Sequence, residues 1–174
     1  MKINVKDLAL DTSIVKAGEQ ILLSGVLYTA RDAAHLRLIK MLDEGVKMPF
    51  ELQNSAIYYC GPSPARPGNV IGACGPTTSA RMDIFTPRML KEGVKILIGK
   101  GARKDFVIDS IKENKAVYLT ATGGIAALLS KTVKKAEVIA FEDLVPEAIR
   151  KLEVEDMPLI VAIDSKGISI FDIL

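Results

Sequence analysis

The chain has 174 residues, enough for one domain with a substantial core; 49% are hydrophobic, only 5% are aromatic and none is Trp, so the interior must be aliphatic. A net charge of +2 with scattered basic residues gives no support to a nucleic-acid or membrane-surface role, and no run is long enough to span a bilayer. Two cysteines and a single histidine are too few to close a metal site without help from elsewhere. The amino terminus, Met1-Lys2-Ile3-Asn4-Val5-Lys6-Asp7, lacks the apolar core of a signal peptide, and a cytoplasmic location is expected. Cys60 and Cys74 lie in or beside apolar runs and are expected as buried thiols rather than a disulfide framework.

In chain order, residues 21–28 read as a buried strand, followed by a helix over 32–42 with Ala34, Leu38, Met41 and Leu42 on one face and Gly45 as its stop. Residues 55–60 and 69–73 read as strands joined by a loop rich in Pro and Gly. A helical stretch follows, interrupted at Thr86-Pro87, where a Thr N-cap and a Pro at the first helical position start a second helix to Glu92. Residues 94–98 form a strand, Gly99-Lys100-Gly101 a tight turn, 104–113 a helix and 117–120 another strand. Gly123-Gly124 opens a small-residue helix over 125–130, residues 137–141 form a strand, and Val145-Pro146 starts a helix to about Leu152. Residues 158–163 and 168–173 are expected to pair as a hairpin. There is no internal repeat. The pattern predicts a single α/β domain over 1–174 with a mixed sheet.

The segment Gly75-Pro76-Thr77-Thr78-Ser79-Ala80-Arg81-Met82-Asp83 stands out. It follows an apolar run and precedes helical spacing, so it belongs where a strand hands over to a helix. Three consecutive hydroxyls, several backbone N–H groups and a guanidinium fall within 77–81, at a position where a helix N-terminus attracts anions. The plainer reading is a Thr N-cap with a surface Arg. Three other strand-to-helix junctions carry unusual residues: Arg31-Asp32, Lys100 between two glycines, and Gly123-Gly124. In α/β sheets such loops converge beyond the carboxyl ends of the strands, and Arg31, Arg81 and Lys100 together suit a small dianion, either a dicarboxylate or a phosphate ester.

Each residue also has an ordinary structural role open to it. Arg31 can be a helix-end surface residue, Lys100 a solvated turn lysine and Gly123-Gly124 a close helix contact. His35 can donate to substrate or cap local polar groups, and Asp32 can orient Arg31 or serve as a helix-start carboxylate. A nucleotide-binding P-loop is not supported, because its Gly-x4-Gly-Lys-Ser/Thr spacing is absent.

Taken in order, Arg31-Asp32-Ala33-Ala34-His35, the 75–83 segment, Gly99-Lys100-Gly101, Gly123-Gly124-Ile125-Ala126-Ala127 and Glu153-Val154-Glu155-Asp156-Met157-Pro158 resemble the iron–sulfur class I fumarases and L-tartrate dehydratases. The similarity is to their β subunit, which is the carboxy-terminal domain in single-chain members, and it covers most of the chain. It implies a swivelling β/β/α-type domain and a hydro-lyase that adds water reversibly to fumarate, giving L-malate, with dehydration of L-tartrate as the alternative. It further implies an oxygen-sensitive 4Fe–4S cluster held by cysteines of an α subunit, acting as a Lewis acid, and a hetero-oligomer with two of each subunit. By the same resemblance Arg31, Arg81 and Lys100 clamp the substrate carboxylates, while Thr77, Thr78, Ser79 and Ala80 line the pocket, with Asp32 and His35 behind them. Thr77 takes the family's role as proton acceptor at C3, its deprotonated form stabilised by Arg81 and Lys100. The other acid/base group is then expected on the α subunit. Outside the enzymes, a stand-alone module binding dicarboxylates or phosphate would use the same cations.

Overall fold

The computed structural model describes residues 1–121 and 125–172. The chain opens with a short strand, β1 (Lys2–Asn4), and helix α1 (Val5–Leu10), then the ten-residue strand β2 (Gln20–Thr29) and helix α2 (Asp32–Asp43). Strand β3 (Ala56–Tyr58), helix α3 (Thr86–Lys91), strand β4 (Ile96–Gly99), helix α4 (Asp105–Glu113) and strand β5 (Val117–Thr120) follow. Helix α5 (Ala126–Thr132), strand β6 (Val133–Ala140) and the fifteen-residue strand β7 (Ile149–Ile163) complete the order.

Strands β2, β3, β4 and β5 are parallel neighbours in that order, joined by the crossovers that parallel pairing requires. Strand β7 runs antiparallel to both β5 and β2, so the five strands close into a barrel-like ring, with β1 beside β2 and β6 beside β7. Both faces of the parallel strands are covered. Ala56, Tyr58, Ile96, Ile98, Val117 and Leu119 join one core cluster, and the alternate residues Ile57, Leu97 and Tyr118 join the other with Leu38 of α2, Met89 of α3 and Val107 of α4. This double burial explains why the strands read as continuous apolar runs.

The largest departure from the sequence reading lies at the carboxy-terminal end. Residues 145–152 are not a helix: a 3-10 segment (Glu142–Glu147) ends there and β7 begins at Ile149. Leu152, Val154, Met157, Leu159 and Val161 are buried on one side of β7, a two-residue alternation broken once at Glu155-Asp156. At that break Asp156 has φ of 52° and its N–H donates to the Ser24 hydroxyl at 2.9 Å, where the pairing with β2 slips by a residue. The expected hairpin is reduced to one bridge between Ile163 and Ser169 and a 3-10 turn (Ile170–Asp172), with Gly167 turning the chain at φ of 81°.

Residues 69–73 are not a strand either. The loop from Gly61 to Ala73 folds back on itself, its neck closed by Ser63 N–H donating to the Ala73 carbonyl at 3.0 Å and Ala73 N–H to Ser63 Oγ at 2.8 Å. A side chain at Gly72 would overlap the Ser63 backbone, so the neck of this loop closes only with glycine there. The Gly123-Gly124 turn lies outside the described residues.

Leu152, fully buried where β2 and β6 flank β7, should be a strong stability determinant. Leu152→Ala is expected to cost about 2–5 kcal/mol, read as a lower denaturant midpoint at unchanged slope.

Candidate active site

Because β2, β3 and β4 are parallel, the residues that follow them emerge on one edge of the sheet. Arg31 follows β2 and occupies the N-cap position of α2, and Lys100 follows β4. The 75–83 segment is stitched between them. Thr77 N–H donates to the Tyr59 carbonyl at 2.6 Å, Ser79 N–H to the Lys100 carbonyl at 3.0 Å, and Lys100 N–H to Ser79 Oγ at 3.0 Å. The segment does not open an α-helix: Ser79–Met82 is a single 3-10 turn, and its N-cap residue Thr78 makes no capping hydrogen bond. A turn this short supplies little dipole of its own. The later helix starts at Thr86, with Phe85 in the cap position and the Thr86 hydroxyl donating back to the Met82 carbonyl at 2.8 Å.

Arg31 and Arg81 meet on Asp32. Arg81 Nε donates to Asp32 Oδ2 at 3.0 Å, with Nη2 2.9 Å from the same oxygen in the ion pair, and Arg31 Nε lies 4.0 Å from Asp32 Oδ1 and 3.9 Å from Glu147 Oε1. Among the described residues, Arg31 Nε and Asp32 Oδ1 find no hydrogen-bond partner although both are buried. Arg31 is mostly covered, whereas the Arg81 side chain is 54% exposed and Lys100, Thr78 and Ala80 are also exposed. Thr77 is half-buried. Among the described residues Lys100 pairs with no carboxylate. Three cations therefore face two carboxylates, Asp32 and Glu147, on an open surface. Glu147 comes from the 3-10 segment before β7 and is held by the Ala33 N–H at 3.3 Å.

His35 sits one turn into α2 and is 1% exposed, packed edge-on to Tyr59 and stacked on Phe85, each at 5.6 Å between ring centres. Its Nδ1 lies 2.8 Å from the Arg31 carbonyl, which can only accept, so Nδ1 carries the proton and braces the start of α2. Burial pushes its pKa down to about 4, with the Arg103 charge adding to that shift, against the opposing pulls of the Arg31 carbonyl and Asp32. The ring is a neutral local brace behind Arg31.

Ser79, expected at the pocket wall, is fully buried. Its Oγ also receives the Tyr118 hydroxyl at 2.8 Å, and a side chain at Gly99 would overlap it. The hydroxyl thus fastens the segment to the turn that carries Lys100. Behind it is an ion pair the sequence reading missed. Arg103 Nε donates to Asp83 Oδ1 at 2.6 Å and Nη2 to Thr86 Oγ1 at 2.7 Å, while the Lys104 N–H reaches Asp83 Oδ2 at 3.2 Å. The guanidinium is flanked by the Tyr59 and Tyr118 rings at 5.3 and 4.9 Å, and its side chain has no exposure. Asp83 closes the 75–83 segment and Arg103 follows the Lys100 turn, so this pair locks the two loops together. The one signal in the sequence was a carboxylate next to the apolar Met82 with no local partner.

Two outcomes follow from this interior. The unfolded chain protonates His35 near pH 6.5 but the folded chain only near 4, so its contribution is fully present above pH 6.5 and is lost as pH falls towards 4. That loss is on the order of 3 kcal/mol, and His35→Asn, which keeps the Nδ1-type donor, should flatten that part of a stability-versus-pH curve. Removing one partner of the buried pair, by Arg103→Met or Asp83→Leu, should cost roughly 3–5 kcal/mol, and the double variant should cost clearly less than the two added, measured by denaturant unfolding.

The described residues offer no group of three or more His, Cys, Asp or Glu side chains placed to hold a metal ion. Nor does the residue set fit an iron–sulfur cluster: Cys60 and Cys74 are buried against each other, and His35 is spent on the α2 backbone. Among the described residues no helix is long and apolar enough to cross a membrane. Comparison with known proteins gives a consistent picture. A family model described as fumarase C-terminus matches residues 1–174. The chain is 41% identical to a putative L(+)-tartrate dehydratase subunit beta of Methanocaldococcus jannaschii, over 93% of this chain and 86% of that protein. It is 39% identical to fumarate hydratase 2 of Leishmania major and 34% identical to the aerobic class I fumarate hydratase of Escherichia coli K12. Those matches take in 86% and 96% of this chain but only 27% and 31% of the two hydratases, so the chain spans less than a third of their length. With the match running from end to end, the chain belongs to the fumarase C-terminus family.

Proposed function

We propose that this chain is the β component of a class I, iron–sulfur-dependent fumarate hydratase, supplying the carboxylate clamp for reversible hydration of fumarate to L-malate. One observation carries the reading: Arg31, Arg81 and Lys100 follow parallel strands on their carboxyl edge, and Arg31 Nε there is a buried donor with no hydrogen-bond partner among the described residues. A carboxylate oxygen satisfies such a donor, and the Arg81 fork can leave or share Asp32 to hold the second carboxylate. The half-buried Thr77 oxygen, in the deprotonated form that Arg81 and Lys100 favour, then takes the C3 proton in the dehydration of L-malate, and the resulting hydroxyl returns it in the hydration of fumarate.

Charge and exposure both support a composite site. Three cations offset by two carboxylates leave about one positive charge, too little to hold a dianion tightly in an open, solvated position. A second chain of α type would bring the cluster, the other acid/base group and the walls that exclude water, in an assembly with two of each subunit. The cluster supplies Lewis-acid chemistry there, and this chain's residues bind and orient the substrate and move a proton at Thr77. The beta-subunit name of the archaeal relative supports a partner, and it also keeps L-tartrate as the second substrate to test.

The chain alone is expected to bind malate weakly and to turn over neither substrate, while the anaerobically reconstituted pair forms fumarate from malate, followed by absorbance. Arg81→Ala and Lys100→Ala should each lower kcat/KM by roughly ten- to a thousandfold, and Thr77→Val should lower kcat more than Thr77→Ser. An inert pair with an intact cluster, on both malate and tartrate, overturns the assignment. Turnover of tartrate alone selects the second substrate.

A further inference from the structure

Cys60 and Cys74 take no part in the proposed site, yet the fold brings the chain's two sulfur nucleophiles together. Cys60 follows β3, Cys74 directly precedes the 75–83 segment, and the 61–73 loop runs out and back between them. Their Sγ atoms are 2.6 Å apart. That is closer than the ~3.5–4.0 Å at which unbonded carbon atoms rest, and not far beyond the ~2.05 Å of a disulfide bond. The surroundings hold both residues in place: Cys60 N–H donates to the Tyr58 carbonyl at 2.9 Å, and Tyr58 Oη to the Cys74 carbonyl at 2.5 Å. An open groove of about 750 Å³ is lined by residues that flank the two cysteines, Gly61 and Ala73 among them.

We propose that Cys60 and Cys74 are a modification site, converted by hydrogen peroxide to an intrachain disulfide. One thiol is first oxidised to a sulfenic acid as the peroxide O–O bond breaks and water leaves. The second sulfur then attacks the first, the S–O bond breaks and a second water leaves. In total two thiols and one peroxide give one disulfide and two waters. A small oxidant is needed because both residues are at most 1% exposed. Burial, with Cys74 alongside, also pushes the Cys60 thiol well up, so the conversion is slow.

The bond would close the 61–73 loop and fix the root of the 75–83 segment. It would also fix Gly61, where an added Cβ would lie 2.9 Å from Arg31 Nη1. This consequence for the clamp rests on the proposed function, whereas the bond itself does not. The test uses the full chain: exposure to peroxide, unfolding in the presence of an alkylating reagent, then intact mass and peptide mapping. The expected result is the loss of two hydrogens, no alkylated thiol, and a single peptide joining Cys60 to Cys74. The melting temperature should rise by roughly 5–10 °C over the reduced chain. Full alkylation after peroxide treatment, or oxygen added to either sulfur without a crosslink, overturns the proposal. Because the readout is mass, failure here leaves the dicarboxylate reading untouched.

Discussion

The pairing of β7 with β2 is the constraint on which the rest of this structure depends. Eight register pairs run from Gln20–Ile160 to Tyr28–Lys151, and β7 then hands over to β5 at Ile160 to Ile163. Without it the sheet would stay open, running from β2 through β5 to β7; with it the strands close into a ring whose interior is filled mostly by aliphatic side chains, with Tyr58 and the two cysteines among them. Closure also fixes the height of β2 against β3 and β4, and with it the places where Arg31 and Lys100 leave the sheet.

A second layer of constraint acts at the carboxyl edge itself. The 75–83 segment has little regular structure of its own, yet it is held by backbone bonds to Tyr59 and Lys100, by Ser79 Oγ, and by Asp83 on the buried Arg103. A buried ion pair is a weak source of net stability, because desolvating two charges offsets most of their attraction. What it does supply is a single geometry. The Arg103 fork, set between Tyr59 and Tyr118, accepts one placement of the carboxylate and so one placement of the residues before it. The exposed cations are thereby mounted on a rigid base, which is what the proposed carboxylate clamp needs.

The electrostatics of the edge divide into two zones. Inside, His35 is kept neutral by burial and spends its one N–H on the Arg31 carbonyl. Outside, Arg81 and Lys100 are solvated, with Asp32 sharing Arg81. Cations placed this way interact weakly with an anion in water and strongly once water is excluded. In two of the relatives this region is under a third of the chain, in keeping with the composite site proposed above.

Much of this protein was legible locally. The parallel strands, the helices over Asp32–Asp43 and Asp105–Glu113, and the concentration of unusual residues at strand-to-helix junctions all follow from apolar runs, helical spacing and turn chemistry, which act over a few residues. The 75–83 segment with Arg31 and Lys100 marked the candidate site for the same reason. Tertiary structure decided what depends on distant partners. Residues 149–152 became strand because β2 and β6 offer hydrogen bonds on both sides, overriding the helical start suggested by Val145-Pro146. Ser79 became a buried fastening, His35 a neutral brace, and Asp83 half of an ion pair with a residue twenty positions away, since burial and long-range pairing are set by the packed fold rather than by local sequence.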